Sequence, residues 1–206
     1  MNTLFYPNIN QYITSFTVTN LSNTRLHELQ NLIAYIQEKK DKKLPIHLNF
    51  ICTHNSRRSQ FAQVWSHMAA IYYDITNLYT YSSGTSITAC DPRTIHALSS
   101  IGFKIITQTT GKQNMYALCF SPKESLITLY SKLTTQVISR DSPFAAIMMC
   151  TQADQNCPLL PNADKRISLP HNDPKVYDDT PIETKKYAEA SLQIATELFY
   201  VMSQLS

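Results

Sequence analysis

The segment from Ile46 to Trp65 leaves this chain few folds to choose from, because it passes from a strand pattern to a helix pattern through one short polar turn. Ile46, Leu48 and Phe50 alternate with His47 and Asn49, Ile51 extends the apolar run and Pro45 bounds it, which is the pattern of a largely buried strand. Phe61, Val64, Trp65, Met68 and then Ile71 or Tyr72 recur at helical spacing. The intervening Cys52-Thr53-His54-Asn55-Ser56-Arg57-Arg58-Ser59 therefore falls at the carboxyl end of a parallel strand, where open α/β sheets bind ligands.

Cys52 leads this turn and Arg58 follows at the first turn of the helix, an arrangement suited to capturing a tetrahedral oxyanion. Backbone N–H groups of such a loop can curl into an anion nest, and the helix N-terminus adds partial positive charge. Arg58 can fork two anion oxygens. The same surroundings favour thiolate over thiol at Cys52, and Ser59 can donate a hydrogen bond to it. A cysteine ending a buried strand is more often an inert core residue. Here the preceding strand, the following helix and Ser59 together favour a nucleophile. Thr53, His54, Asn55, Ser56, Arg57, Arg58 and Ser59 form the expected oxyanion-binding set.

This loop resembles the phosphate-binding loop of low-molecular-weight protein tyrosine phosphatases and of the thioredoxin-coupled arsenate reductases that share their fold, which usually reads Cys-x-Gly-Asn-x-Cys-Arg-Ser. His54 stands where those families prefer glycine, so a non-glycine residue is expected to bear any positive φ there. Arg57 stands where they often carry a second cysteine, so thiol exchange would need partners elsewhere in the chain.

A chain of 206 residues with 43% hydrophobic content suits one α/β domain with extensions. Its net charge is a modest +3, and the basic run Lys39-Lys40-Asp41-Lys42-Lys43 closes a helix where cations suit the dipole, so no nucleic-acid partner is expected. The chain has no run of eighteen apolar residues, and Met1 to Pro7 lacks a charged leader, so a cytoplasmic, non-membrane protein is expected. Five irregularly spaced cysteines read as reduced thiols.

Residues 1–44 read as a helical extension. Asn8 to Phe16 suit a short helix, and Asn23 or Thr24 can cap a longer one with Leu26, Leu29, Ile33 and Ile36 on one stripe. The extension carries no titratable cluster, so it reads as a packing layer or a dimerisation surface. After the loop and its helix, Leu78 to Ser82 read as a strand ended by Ser83-Gly84-Thr85. Asp91, Pro92 and Gly102 then punctuate a helix as N-cap, first residue and C-terminal stop. Cys90 and His96 are expected to pack or to face solvent.

In the span 107–143 the resemblance lapses. Met115 to Phe120 and Leu126 to Tyr130, joined by Ser121-Pro122-Lys123-Glu124-Ser125, predict a hairpin inserted at an edge of the sheet, with Cys119 a small strand residue. Ala145 to Cys150 form a buried-strand run, and Cys157 follows in a polar loop before Pro158, the two thiols reading as sheltered and exposed respectively. Their spacing does not suit zinc, and no metal is expected. Thr180-Pro181-Ile182-Glu183 reads as a capping box that opens a final helix.

The run from Cys150 to Pro158, then Lys165 to Leu169 and His171-Asn172-Asp173-Pro174, resembles the redox half of thioredoxin-coupled arsenate reductases; the Asp-Pro pair is shared with the phosphatases, the cysteine pair is not. The resemblance implies a three-layer α/β domain with a four-stranded parallel sheet of flavodoxin-like order. It implies that Cys52 attacks arsenate held by the loop and Arg58, that Asp173 protonates the departing oxygen, and that Cys150 and then Cys157 carry the resulting disulfide to a thioredoxin-like reductant, with no bound cofactor. The alternative is a low-molecular-weight tyrosine phosphatase hydrolysing phosphotyrosine through a cysteinyl-phosphate on Cys52. A third reading, a catalytically idle binding module, is disfavoured by the intact nucleophile, arginine and aspartate.

Overall fold

The computed structural model describes residues 4–16, 21–111, 113–123, 126–137, 142–157 and 160–206, without the side chains of residues 110 and 156. Glu124 and Ser125 of the expected hairpin turn, and Pro158 after the last cysteine, lie outside the described residues. In chain order the elements are helices α1 (Pro7–Thr14) and α2 (Asn23–Asp41), strand β1 (Ile46–Cys52), helix α3 (Arg58–Tyr72), strand β2 (Leu78–Gly84), helix α4 (Pro92–Ile101) and strands β3 (Lys104–Thr110), β4 (Gln113–Cys119) and β5 (Leu126–Leu129). Strand β6 (Phe144–Met148), helix α5 (Thr151–Asn156), strand β7 (Ala163–Ser168) and helix α6 (Glu183–Ser203) complete them.

Parallel neighbours need a crossover connection, and α3 supplies one between β1 and β2 as α5 does between β6 and β7. The result is a parallel sheet in the order β2-β1-β6-β7, the flavodoxin-like order expected from the sequence. Successive strand residues point to opposite faces. Leu48, Phe50, Cys52, Ala145 and Ile147 accordingly join the main core with residues of α2, α3 and α6, whereas Ile51, Ala146 and Met148 form a smaller cluster with Cys157 at the end of α5. No helix among the described residues is long and apolar enough to cross a membrane.

The inserted segment differs from the expected edge hairpin. β4 and β5 do pair, but β3 adds a third antiparallel strand, and β3-β4-β5 is a sheet of its own, not an extension of the parallel one. The β-branched run Ile105-Ile106-Thr107 with the left-handed turn at Gly111 (φ 65°) supplies the extra strand. Tyr116, Leu118, Ile127 and Leu129 alternate inward and bury this sheet against the main core. The chain then returns to the parallel sheet, where Gly84 N–H donates to the Lys132 carbonyl at 2.9 Å.

Two helix starts also differ. Ser22, not Asn23 or Thr24, caps α2 by accepting from the Arg25 N–H at 3.1 Å. At α6 the expected capping box does not form, because the Glu183 carboxylate is taken by Arg93 Nε and by the Asp179 N–H, each at 2.6 Å, and the helix begins at Glu183.

The N-terminal extension is part of the core. Leu29, Leu32 and Ile36 are fully buried on α2. Replacing Leu32 by Ala is therefore expected to cost about 3 kcal/mol, read as a lower urea midpoint of the whole transition. An unchanged midpoint would mean that α2 is a detachable layer.

Candidate active site

The loop after β1 is held from outside. Its carbonyls are taken one after another by the scaffold: Thr53 O accepts from Ser86 N at 2.9 Å, His54 O from Ser131 Oγ at 2.8 Å, Asn55 O from Gln60 Nε2 at 2.7 Å and Ser56 O from Asp91 N at 3.1 Å. With its acceptors so engaged, the loop keeps them away from the space above Cys52, as an anion nest requires. The positive φ falls on Asn55 (48°) and not on His54, a correction with a plain cause. Asparagine visits the left-handed region more readily than most side chains, and its own amide fixes it there. Asn55 Oδ1 accepts from Lys132 N at 3.0 Å, and Nδ2 donates to Ser59 Oγ at 2.9 Å. Gly84 has to be glycine: a Cβ there would meet Asn55 N and Thr53 O at 2.9 Å.

Ser59 Oγ lies 3.1 Å from Cys52 Sγ. Because Ser59 already accepts from Asn55, its own hydrogen is free to donate to the sulfur. Cys52 is buried at the end of β1, with α3 beginning at Arg58.

The two arginines converge on Asp173. Arg57 Nε donates to Asp173 Oδ1 at 2.9 Å, and Arg58 Nη2 donates to Asp173 Oδ2 at 2.6 Å. Burial alone would raise the Asp173 carboxyl, but Arg58 and Arg57 outweigh it and hold it below the usual carboxylate range. Arg57 also donates Nη1 to Asp91 Oδ2 at 2.7 Å, while Arg58 Nη1 donates to the His171 carbonyl at 2.9 Å. Arg58 Nε is buried without a partner among the described residues. His54, half-buried and facing Arg57, Lys175 and Arg58, has its imidazole pushed below the ordinary histidine value, first by burial. Cys52, His54, Ser56, Arg57, Arg58 and Asp173 line a narrow cleft that, as it stands, is too tight for a water molecule.

The two further cysteines occupy different settings. Cys150 caps the start of α5, its Sγ accepting from Ala153 N at 3.3 Å and lying 3.6 Å from Thr53 Oγ1, so this thiol abuts the residue next to Cys52. Cys157 is not the exposed loop thiol expected from the sequence. It is 8% exposed, packed with Ile51, Phe144 and Met148, and burial pushes its thiol above the ordinary cysteine value. The smaller core on that face needs an apolar residue at this point, and the thiol supplies it.

Sequence reasoning missed several supporting residues. Asp91 was readable only as a helix cap, yet it also pairs with Arg57. Arg25 of α2 donates to Glu197 at 2.7 Å and lies 2.9 Å from His171 Nε2, so the extension steadies the segment whose carbonyl holds Arg58. Burial would raise the Glu197 carboxyl, but His171 and Arg25 bring it down to about 2. Lys132, delivered by the insertion, is 7% exposed; its Nζ donates to Ser82 Oγ and the Tyr130 carbonyl, each at 3.3 Å, and lies 4.4 Å from the Tyr130 ring centroid, with no carboxylate in ion-pair reach among the described residues. Burial drives its pKa down to about 8.

That lysine gives a signed pH dependence. Between pH 8 and the ordinary lysine range the unfolded chain binds a proton that the folded one releases, so stability rises with pH across that window, by up to about 3 kcal/mol. Lys132→Met removes the titration, and the variant's urea midpoint relative to the parent is expected to fall from pH 7.5 to pH 10. A difference that does not change with pH would mean that Lys132 stays charged throughout.

No family model matches the chain. It is 31% identical over 134 residues to arsenate reductase 2 of Staphylococcus epidermidis, covering 65% of this chain and 80% of the relative. It is 30% identical over 125 residues to an arsenate reductase of Staphylococcus aureus, covering 61% and 76%. Among solved structures, an arsenate reductase from Archaeoglobus fulgidus superposes with a TM-score of 0.51 at 15% identity, covering 76% of this chain and 99% of that one. A low-molecular-weight protein tyrosine phosphatase from T. tengcongensis does so with a TM-score of 0.50 at 13% identity, covering 78% and 99%. At such identities the superpositions establish a shared fold.

Proposed function

The chain belongs to the arsenate reductase family, and from that premise we propose that it reduces arsenate to arsenite through Cys52, Cys150 and Cys157. One observation carries this reading beyond the fold: a second thiol, Cys150, stands against Thr53 beside the nucleophile, where hydrolysis of a phosphate ester has no use for it.

Arsenate entering above Cys52 replaces the Asp173 carboxylate on Arg58 Nη2 and gains the unused Nε, making a forked pair. Its negative charge beside Asp173 raises that carboxyl's proton affinity, which turns a resting counter-ion into a general acid. Cys52 thiolate attacks arsenic, an S–As bond forms, and one oxygen leaves as water with the proton from Asp173. Cys150 thiolate then attacks Cys52 Sγ; the S–S bond forms, and the electron pair of the S–As bond passes to arsenic, which departs as arsenite. Cys157 thiolate attacks Cys150 Sγ and expels Cys52 as thiolate, and a thioredoxin-like dithiol returns two electrons to the Cys150–Cys157 disulfide. The five free cysteines fit the reducing conditions of a cytoplasm.

The burial of Cys157 favours a second reading, phosphotyrosine hydrolysis by the same Cys52, Arg58 and Asp173, which needs water and no resolving thiol. Turnover of arsenate with thioredoxin, set beside turnover of an aryl phosphate without it, separates the two. Cys150→Ser is expected to abolish the first and leave the second nearly intact. Cys157→Ser is expected to stop after one turnover with a Cys52–Cys150 disulfide, found by peptide mapping. If both variants reduce arsenate like the parent, the relay is wrong.

Asp173→Asn is expected to slow aryl phosphates with poor leaving groups far more than those with good ones. A uniform effect would leave Asp173 as a counter-ion to the arginines only.

A further inference from the structure

Cys150 and Cys157 stand at the two ends of α5, as its N-terminal and C-terminal caps. Seven residues of helical rise separate their Cα atoms by about 10 Å, whereas a disulfide needs them within about 7 Å. A bond between them therefore requires α5 to unwind. A helix of six residues has little stability of its own, and its last carbonyls have no partner inside it. Besides the Cys150 cap and the packing of Ala153 and Cys157, what holds this one closed comes from β7.

Arg166, opposite Ala146 on β6, turns its guanidinium onto the C-terminal half of α5. Nε donates to Asp154 Oδ1 at 3.0 Å, Nη2 donates to the Asp154 carbonyl, and Nη1 donates to the Cys157 carbonyl at 3.4 Å. One side chain thus engages the segment between the two thiols three times, and two of those contacts take carbonyls that the helix leaves open. Cys157 N–H meanwhile donates to the Ala153 carbonyl at 2.8 Å, the last bond of the helix turn that must break.

We propose that Arg166 is a positioning residue for the thiol relay: it latches α5 in the dithiol state, keeps Cys157 in its apolar seat, and thereby sets the reduction potential of the Cys150–Cys157 pair. The proposal rests on the relay reading above. Oxidation removes one proton from each thiol and two electrons from the pair, which an oxidant such as glutathione disulfide takes up as two glutathiones while the S–S bond forms. Because the latch exists only in the dithiol form, its removal favours the disulfide.

The test is a redox titration of the full chain in glutathione buffers, in a Cys52→Ser, Cys119→Ser background that leaves buried Cys90 as the one thiol besides the relay pair, with disulfides identified by peptide mapping. Arg166→Gln is expected to shift the equilibrium toward the Cys150–Cys157 disulfide about tenfold, a potential about 30 mV more negative. Asp154→Ala is expected to move it the same way, and the double variant no further than Arg166→Gln alone, because the two side chains act as one contact. A general loss of stability lowers the unfolding midpoint of both redox forms and leaves the potential unchanged. A disulfide that forms at the parent's potential, or at a more positive one, in Arg166→Gln overturns the latch and leaves the relay standing. A parent that forms no Cys150–Cys157 disulfide at any glutathione ratio overturns both.

Discussion

The constraint on which the rest of the structure depends is that the tight loop from Cys52 to Ser59 cannot satisfy its own carbonyls, so these need partners on the outside. Those partners come from widely separated parts of the chain. The end of β2 supplies Ser86, the approach to α4 supplies Asp91, α3 supplies Gln60, and the return from the inserted sheet supplies Ser131 and Lys132. The insertion is therefore structural to the site: it ends in a strap that closes the loop's back. Asn55 is the point where these demands meet, because its left-handed backbone turns the loop while its amide ties Lys132 on one side to Ser59 on the other.

Charge follows from that geometry. Arg57 and Arg58 are adjacent, both largely buried, and would repel one another without Asp91 and Asp173 between and beside them. Removing one partner from such a set leaves an uncompensated buried charge, which is costly. Arg57, tied to Asp91 as well as Asp173, is the fixed member; Arg58, with an unused Nε, is the one able to accept a new anion. Under the proposed reaction an incoming oxyanion competes with Asp173 for Arg58 alone, and the displaced carboxylate stays within reach through Arg57.

The parts legible in the sequence were those written in local chemistry. Asp91 accepts from the Arg93 N–H, Pro92 opens α4 and Gly102 closes it at φ 119°, all as the residues indicated. The strand-loop-helix around Cys52 was legible for the same reason, since apolar period and turn chemistry agree there. The failures involve partners far away in the chain. Glu183 could not be known to face Arg93, ninety residues earlier, and so the capping box was misread. Cys157 reads as polar-loop cysteine because its neighbours Asp154, Gln155 and Asn156 are polar, and only Ile51 and Phe144 on the sheet show why it is buried. Lys132 carries no local sign that it will be buried; tertiary packing alone decides that.

The placement of the three thiols on the sheet gives the relay a direction. Ile51 and Cys52 are consecutive on β1 and so point to opposite faces. Cys52 and Cys150 belong to the main core, while Cys157 packs against Ile51 in the smaller cluster. Under the proposed relay, the oxidising equivalent made at the anion loop is handed to Cys150 on its own side and leaves it only when Cys157 comes out from the other face. A reductant acting on the Cys150–Cys157 disulfide then works on an unwound α5, away from a cleft too narrow to admit it. The separation has a physical consequence for the reduced protein: with Cys157 buried and its thiol disfavoured as thiolate, it cannot attack Cys150 until the segment between them opens, so the dithiol form resists oxidation between turnovers.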